Sequence, residues 1–129
     1  MAVVDLDHVV VWTADVDSSL GWWCGLLGLS SARVDEWRAG QAPFPSVRIN
    51  ERTIIDLLAG EASGTNMDHL CVVVDGVDLE RLAASGLFEV LEGPVRRFGA
   101  RGEGFALYVR SREGTIVELR SYAAGQHPS

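Results

Sequence analysis

Two short stretches of this chain occur twice at a nearly constant interval. Leu6-Asp7-His8-Val9 returns 61 residues later as Met67-Asp68-His69-Leu70, and Thr53-Ile54-Ile55-Asp56-Leu57 returns 62 residues later as Thr115-Ile116-Val117-Glu118-Leu119. Internal similarity at a fixed spacing marks a repeated supersecondary unit. Each half opens on an Asp-His before an apolar run and closes on a carboxylate inside another. The chain is thereby restricted to two like modules packed together, with a one-residue insertion between the repeated segments of one of them. The repeated polar positions are also metal-binding residue types. Two imidazoles and two carboxylates suit a divalent ion with mixed nitrogen and oxygen ligands.

The 129 residues, 47% hydrophobic and 22% charged, make one domain (1–129) of ordinary globular composition. Module one spans about 5–59, a polar linker 60–66, and module two about 67–122. A net charge of −7 disfavours a nucleic-acid partner, because phosphate binding draws on a concentrated basic surface. Cys24 and Cys71 lie in apolar stretches and read as reduced, buried thiols. The opening residues lack a signal-peptide pattern, and no apolar run is long enough for a membrane helix. The expectation is a cytoplasmic protein without a membrane partner.

Residues 6–13 read as a strand, with His8, Val10 and Trp12 on one face by the two-residue alternation. Thr13 or Asp15 can cap a helix reaching about Leu27. Val16, Leu20, Trp23 and Leu27 are spaced for its buried side, and Trp22 and Leu26 for its flank. A strand over 31–37, a loop over 40–45, and strands over 46–50 and 53–59 complete the half. The order then restarts: strand 68–74, helix 78–85, short strand 88–92, loop 93–102, strand 103–110, turn 112–114, strand 115–121, and a loose tail. Each half is β-α-β-β-β. One helix cannot cover both faces of four strands, so the fold class expected is α+β, with paired βαβββ modules forming a curved mixed sheet around a metal-binding cleft.

Carboxylates centred in strands suit a buried face poorly unless they are paired or metal-bound. Asp56 and Glu118 are such residues. Asp7 and Asp68, alternating with the histidines, are expected on the opposite face in solvated or capping roles. Arg96-Arg97-Phe98-Gly99-Ala100-Arg101-Gly102 is a basic cluster in an acidic chain. On a glycine-bearing loop over the cleft, Arg96, Arg97 and Arg101 could receive a substrate carboxylate or phosphate, as could Arg120. Trp12, Phe44 and Tyr108 could wall an aromatic pocket, with Tyr108 a further substrate contact.

The chain resembles the vicinal oxygen chelate superfamily, which includes glyoxalase I, type I extradiol dioxygenases, fosfomycin-modifying enzymes and bleomycin-binding proteins. The resemblance is carried by Leu6-Asp7-His8-Val9-Val10-Val11, by the helix Ser18–Gly28 with Trp22-Trp23, by Met67-Asp68-His69-Leu70, and by 111–119. Leu91-Glu92-Gly93-Pro94-Val95 is similar to small glyoxalase-domain proteins. The resemblance implies metal ligands at His8, Asp56, His69 and Glu118, with Glu118 or Asp56 moving a proton. It implies a divalent cofactor (Ni, Zn, Mn, Co or Fe), a small-molecule substrate, and a homodimer whose site is often completed across the interface. Relatives usually have Glu or Gln where Asp56 stands, and Asp reaches roughly 1.5 Å less far. Direct ligation, ligation through water and an open position therefore all stay in play. The last would leave the two-histidine, one-carboxylate set of non-haem iron oxygenases. Relatives often have Asp-Pro-Asp-Gly where this chain has Ser111-Arg112-Glu113-Gly114. The leading expectation is a glyoxalase-like lyase or isomerase acting on a substrate held through neighbouring oxygens. The alternatives are an Fe(II) ring-cleaving dioxygenase and a non-catalytic drug-binding protein.

Overall fold

The computed structural model describes residues 1–61, 64, 66–110, 115–123 and 125–126. The expected turn at 112–114, part of the linker and most of the tail lie outside the described residues. The elements run β1 (Ala2–Thr13), α1 (Val16–Leu20) continuing as a π-helical turn (Gly21–Leu26), β2 (Ser30–Ala32), α2 (Val34–Arg38), β3 (Ser46–Arg48) and β4 (Ile54–Ala59). The second half runs β5 (Met67–Asp75), α3 (Leu79–Ala84), β6 (Glu89–Gly99), β7 (Gly102–Arg110) and β8 (Ile116–Ser121). Asp15 caps α1 by accepting from Ser18 N, and Asp78 caps α3 by accepting from Glu80 N and Arg81 N.

All eight strands form one mixed sheet in the order β2-β3-β4-β1-β5-β8-β7-β6. The order is the same in each half when read outward from the centre: β1-β4-β3-β2 and β5-β8-β7-β6. In the first half β1 runs parallel to β4 with Val10 opposite Asp56; in the second, β5 runs parallel to β8 with Cys71 opposite Glu118. His8 and His69 each stand two residues before those partners. The repeat seen in the sequence is therefore a repeat of strand register. The sheet is open and not strongly curled, which corrects the expectation of a sheet wrapped around a cleft. Three-residue strands at the β2-β3 flank are too short to wrap around anything.

Alternation along the strands sorts the residues onto two faces. One face packs on the helices in two clusters. Val16, Leu20, Val47 and Leu57 gather Trp23, Val34 and Trp37, while Val74, Leu79, Leu82, Leu107, Val109 and Leu119 gather Phe88 and Val117. The opposite face carries His8, Asp56, His69 and Glu118. Trp22 and Leu26, on the flank of the first helical segment, remain 49% and 75% exposed.

Two segments depart from the sequence reading. Instead of a strand over 31–37, Arg33 adopts a positive φ of 62° and turns the chain into α2. That turn lets Val34 and Trp37 reach the first core, and burial of both outweighs the local preference of a mixed-polarity stretch. The expected loop over 93–102 is mostly strand, because β6 pairs with β7 as far as Gly99. A register shift between Glu92 and Val95 absorbs Gly93-Pro94, and β6 is the sheet edge, where proline's missing N–H removes no ladder bond. Arg96 and Arg97 thus sit on a strand, not on a lid.

Candidate metal centre

Strands β4, β1, β5 and β8 are consecutive at the centre of the sheet, so a single chain brings all four repeated polar residues together. His8 Nε2 lies 3.2 Å from His69 Nε2 and 3.1 Å from Glu118 Oε1, and His69 Nε2 lies 3.1 Å from the same oxygen. Three donors each about 2.0–2.1 Å from one ion, at angles between octahedral and tetrahedral, would stand roughly 2.9–3.4 Å apart. The observed triangle fits that requirement. Asp56 stands slightly aside: its Oδ2 is 3.8 Å from His8 Nε2, and its Oδ1 accepts a 2.6 Å hydrogen bond from Ser46 Oγ.

Each histidine is oriented from behind by the aspartate preceding it. His8 Nδ1 donates to Asp7 Oδ1 at 2.7 Å, and His69 Nδ1 donates to Asp68 Oδ2 at 2.7 Å. A carboxylate only accepts, so each ring carries a proton on Nδ1 and turns Nε2, the atom that would meet an ion, toward the centre. This corrects the expectation that Asp7 and Asp68 face the other way. Between β1 and β5, Leu6 pairs with Val72 and His8 with Cys71, which leaves Asp7 extra. Val10 pairs with His69 and Val11 with Met67, which leaves Asp68 extra. A β-bulge at each aspartate breaks the alternation and lets consecutive side chains meet. Asp7 is also held by Ala100 N at 2.9 Å and by the Tyr122 hydroxyl. The signal was present in the sequence, since both copies of the repeat keep Asp before His.

Glu118 is fully buried and charged. Burial works against its ionisation, but hydrogen bonds from His69 and His8 and the Arg120 guanidinium hold it well below the usual carboxylate range. Arg120 Nε donates to Glu118 Oε2 at 2.9 Å, and its Nη2 donates to Arg97 O at 2.9 Å. Burial likewise opposes charge on His8, yet its bonds to Asp7, Cys71 and Glu118 push the imidazole up to about 12. His69 is also raised, with Glu118 and Asp68 outweighing its burial. Asp56 moves the other way from Glu118: burial dominates and its carboxyl is raised. The two acids of the repeat thus differ in kind. Glu118 is a fixed anion, while Asp56 is a carboxyl whose neutral form burial favours.

No protein-family model matches the chain. Among curated relatives, virulence protein STM3117 of Salmonella typhimurium is 26% identical over 129 residues, covering 95% of this chain and 87% of the relative. The glyoxalase domain-containing protein RDO1 of Mycosarcoma maydis is 29% identical over 126 residues, covering 95% of this chain and 70% of the relative. Among solved structures, methylmalonyl-CoA epimerase from Streptomyces coelicolor superposes with a TM-score of 0.66 at 16% identity, covering 98% of this chain and 100% of that one. The Mycobacterium tuberculosis epimerase gives 0.60 at 19% identity, covering 94% and 89%. The fold is that of the vicinal oxygen chelate superfamily.

On this vicinal oxygen chelate sheet, a cavity of about 270 Å³ opens above the His/acid cluster. His8, Asp56, His69 and Glu118 line it, with Tyr108, Phe44, Arg96 and Arg97 among its walls. The Tyr108 ring meets His69 edge-on at 5.4 Å, and burial beside Glu118 keeps its hydroxyl protonated. Arg97 is tied to Glu92 at 2.6 Å. Arg101 lies elsewhere, bonded to Asp5 through Nη2, and Arg120 lies beneath Glu118 rather than in the cavity. Trp12 packs on Gly60, where a Cβ would come within 2.5 Å of the indole. Ser46, Arg33, Phe98 and Glu103 belong to this neighbourhood without any sequence signal that singles them out. Among the described residues, no helix is long and apolar enough to cross a membrane.

Proposed function

We propose that this chain is a divalent-metal-dependent lyase or isomerase of the glyoxalase type, acting on a small substrate with two neighbouring oxygens. The reading rests on the convergence of His8 Nε2, His69 Nε2 and Glu118 Oε1 at 3.1–3.2 Å beneath a cavity that Asp56 also lines. Those three residues would hold the ion, and Asp56 stands beside them. Bound there, a divalent ion supplies Lewis-acid polarisation of the substrate oxygens. The two histidines and Arg120 keep Glu118 ionised, Arg120 aims it through Oε2, and Asp7 and Asp68 hold the Nδ1 proton of each ring. Asp56 is the proton carrier: Ser46 occupies its Oδ1, its Oδ2 is left to take a proton from carbon, and burial makes the neutral acid a stable intermediate form. Return of that proton to the neighbouring carbon, with the hydroxyl proton passing to the neighbouring oxygen, completes an isomerisation without any external reagent. The epimerases among the structural neighbours perform a reaction of this general class.

Two measurements test the reading. Elemental analysis of untagged protein purified without added metal should find a stoichiometric Ni, Zn, Mn or Co. With hydroxyacetone in deuterated buffer, the metal-loaded protein should speed exchange at the carbon beside the carbonyl, and Asp56→Asn should abolish this while retaining metal. Protein that binds no metal, or exchange unaffected by Asp56→Asn, would overturn it. A second reading has its own observation. Asp56, with its Oδ2 3.8 Å from His8 Nε2, stands outside the closer triangle of His8, His69 and Glu118, so that triangle has the composition of a two-histidine, one-carboxylate iron site. Iron in the elemental analysis together with oxygen uptake on a catechol would favour ring-cleaving chemistry instead.

A further inference from the structure

Beyond turning the chain into α2, Arg33 has three properties that bear on the cavity. It is the one non-glycine residue with positive φ among those described, a conformation that costs free energy in any residue bearing a Cβ and that persists mainly at functional sites. Its guanidinium centre lies 4.0 Å from the Phe98 ring centroid and 5.6 Å from that of Phe44, so two aromatic faces hold the plane of the fork. It lines the same cavity as His8, Asp56, His69 and Glu118. Of the other arginines near the site, Arg97 is paired with Glu92, Arg101 with Asp5 and Arg120 with Glu118, while Arg96 lies over the Phe105 ring. Among the described residues, no carboxylate pairs with Arg33.

We propose that Arg33 anchors a carboxylate on the substrate, at the opposite end of the molecule from the oxygens held at the His/acid cluster. The inference rests on the metal-centre reading for the orientation of the substrate, and adds that the substrate is a small acid. The cavity, at about 270 Å³, falls just below the usual range for ligand pockets, so a molecule touching both walls is small. A monoanion fits better than a phosphate dianion. Arg33 is the guanidinium stacked on the cavity's own aromatic walls, whereas Arg96 lies over Phe105, a ring outside that lining; Glu103 lines the cavity as well, and the whole chain carries a net charge of −7. Arg96, at the rim, has its guanidinium 5.4 Å from the Phe105 ring centroid and serves as the comparison residue.

The test uses two matched chelators, butyrohydroxamate and succinomonohydroxamate, which offer the same two oxygens and differ in a terminal carboxylate. Calorimetric titration into Co²⁺-loaded protein should show the acid binding roughly 10–100-fold tighter, the range for a hydrogen-bonded charge pair. Arg33→Asn should bring that preference close to one while leaving butyrohydroxamate affinity unchanged. Asn tolerates the left-handed conformation, so the thermal midpoint should stay within a few degrees; a large fall there would assign Arg33 a structural role and overturn the proposal. A preference that survives Arg33→Asn, or disappears in Arg96→Gln instead, would also overturn it. If neither hydroxamate binds wild type, the metal-centre reading has failed, and succinate titrated into metal-free protein decides the anchor alone. Binding lost in Arg33→Asn supports it; no binding, or binding unchanged by the substitution, ends it.

Discussion

Replacing Asp7 by Asn removes one charge and changes almost no volume, which isolates what the carboxylate does. Asp7 is buried and accepts from His8 Nδ1 at 2.7 Å, from Ala100 N at 2.9 Å and from the Tyr122 hydroxyl. An amide oxygen can serve one of these donors well, and the amide nitrogen must face another. One or two charge-assisted bonds are lost, a destabilisation of about 2–4 kcal/mol. For a chain of 129 residues this lowers Tm by roughly 7–15 °C. The amide nitrogen can also donate to Nδ1, which would move the imidazole proton to Nε2 and block the atom aimed at the centre. Losing an orienting partner of this kind typically weakens metal affinity roughly 10–100-fold. Asp68 provides the internal control. It makes the same 2.7 Å contact to His69 but its side chain is 34% exposed, so water can replace much of what Asn gives up. Asp68→Asn should therefore cost only a few-fold in affinity and little in Tm. Competitive metal titration with thermal melts of the metal-free proteins measures both effects. Equal losses in the two variants, or an Asp7→Asn protein that melts and binds like wild type, would refute this account of Asp7.

Gly99→Ala should be similarly damaging from outside the centre. A Cβ there would lie 2.5 Å from Arg120 Nη1 and strike the Tyr122 hydroxyl, so melts should show lower stability and titrations weaker metal binding through displaced Arg120. His8→Ala and Glu118→Ala should each lower metal stoichiometry to well under half, with the far-ultraviolet spectrum largely unchanged; full occupancy in either would remove that residue from the ligand set. Metal affinity should rise with pH across neutrality, with at least one proton released per ion in calorimetry run in buffers of different ionisation enthalpy. The cause is His8: burial opposes its charge, but its contacts push the imidazole up to about 12, so the ion must displace a proton. The same shifts set the stability of the metal-free protein. The raised histidines contribute fully below pH 6.5, and that contribution is lost as pH climbs through their folded values. Glu118 and Asp7, held low, contribute above their ordinary values of 4.5 and 3.8, and that contribution is lost as pH falls. Asp56, raised by burial, works against the other acids at neutral pH. Chemical denaturation across pH should trace a maximum between these limits.

The repeat was the most legible feature because register in a sheet is a matter of counting. His8 with Asp56 and His69 with Glu118 keep the same spacing, and parallel pairing of β1 with β4 and of β5 with β8 turns that spacing into one position in space. The β-α-β-β-β order of each half was readable for a related reason: Val10, Ile54, Val73 and Leu107 are apolar at the period their strands require. Alternation was also where the reading went astray, since it sent Asp7 and Asp68 to the far face. A bulge depends on how two strands align, and neither strand carries that information by itself.

The amino-acid sequence by itself determined which four side chains would meet and which two halves would carry them, because hydrophobic period and repeat spacing act through local geometry. Only the tertiary structure decided what those side chains became. Glu118 and Asp56 occupy equivalent positions in the repeat, yet His69, His8 and Arg120 together make one a permanent anion, while burial makes the other a carboxyl that can hold a proton. Arg33 in its left-handed turn and Phe98 beneath it come from stretches distant in the chain. Such contacts depend on packing between elements far apart in sequence, and the free energy that shifts a proton or holds a strained residue is supplied by those neighbours.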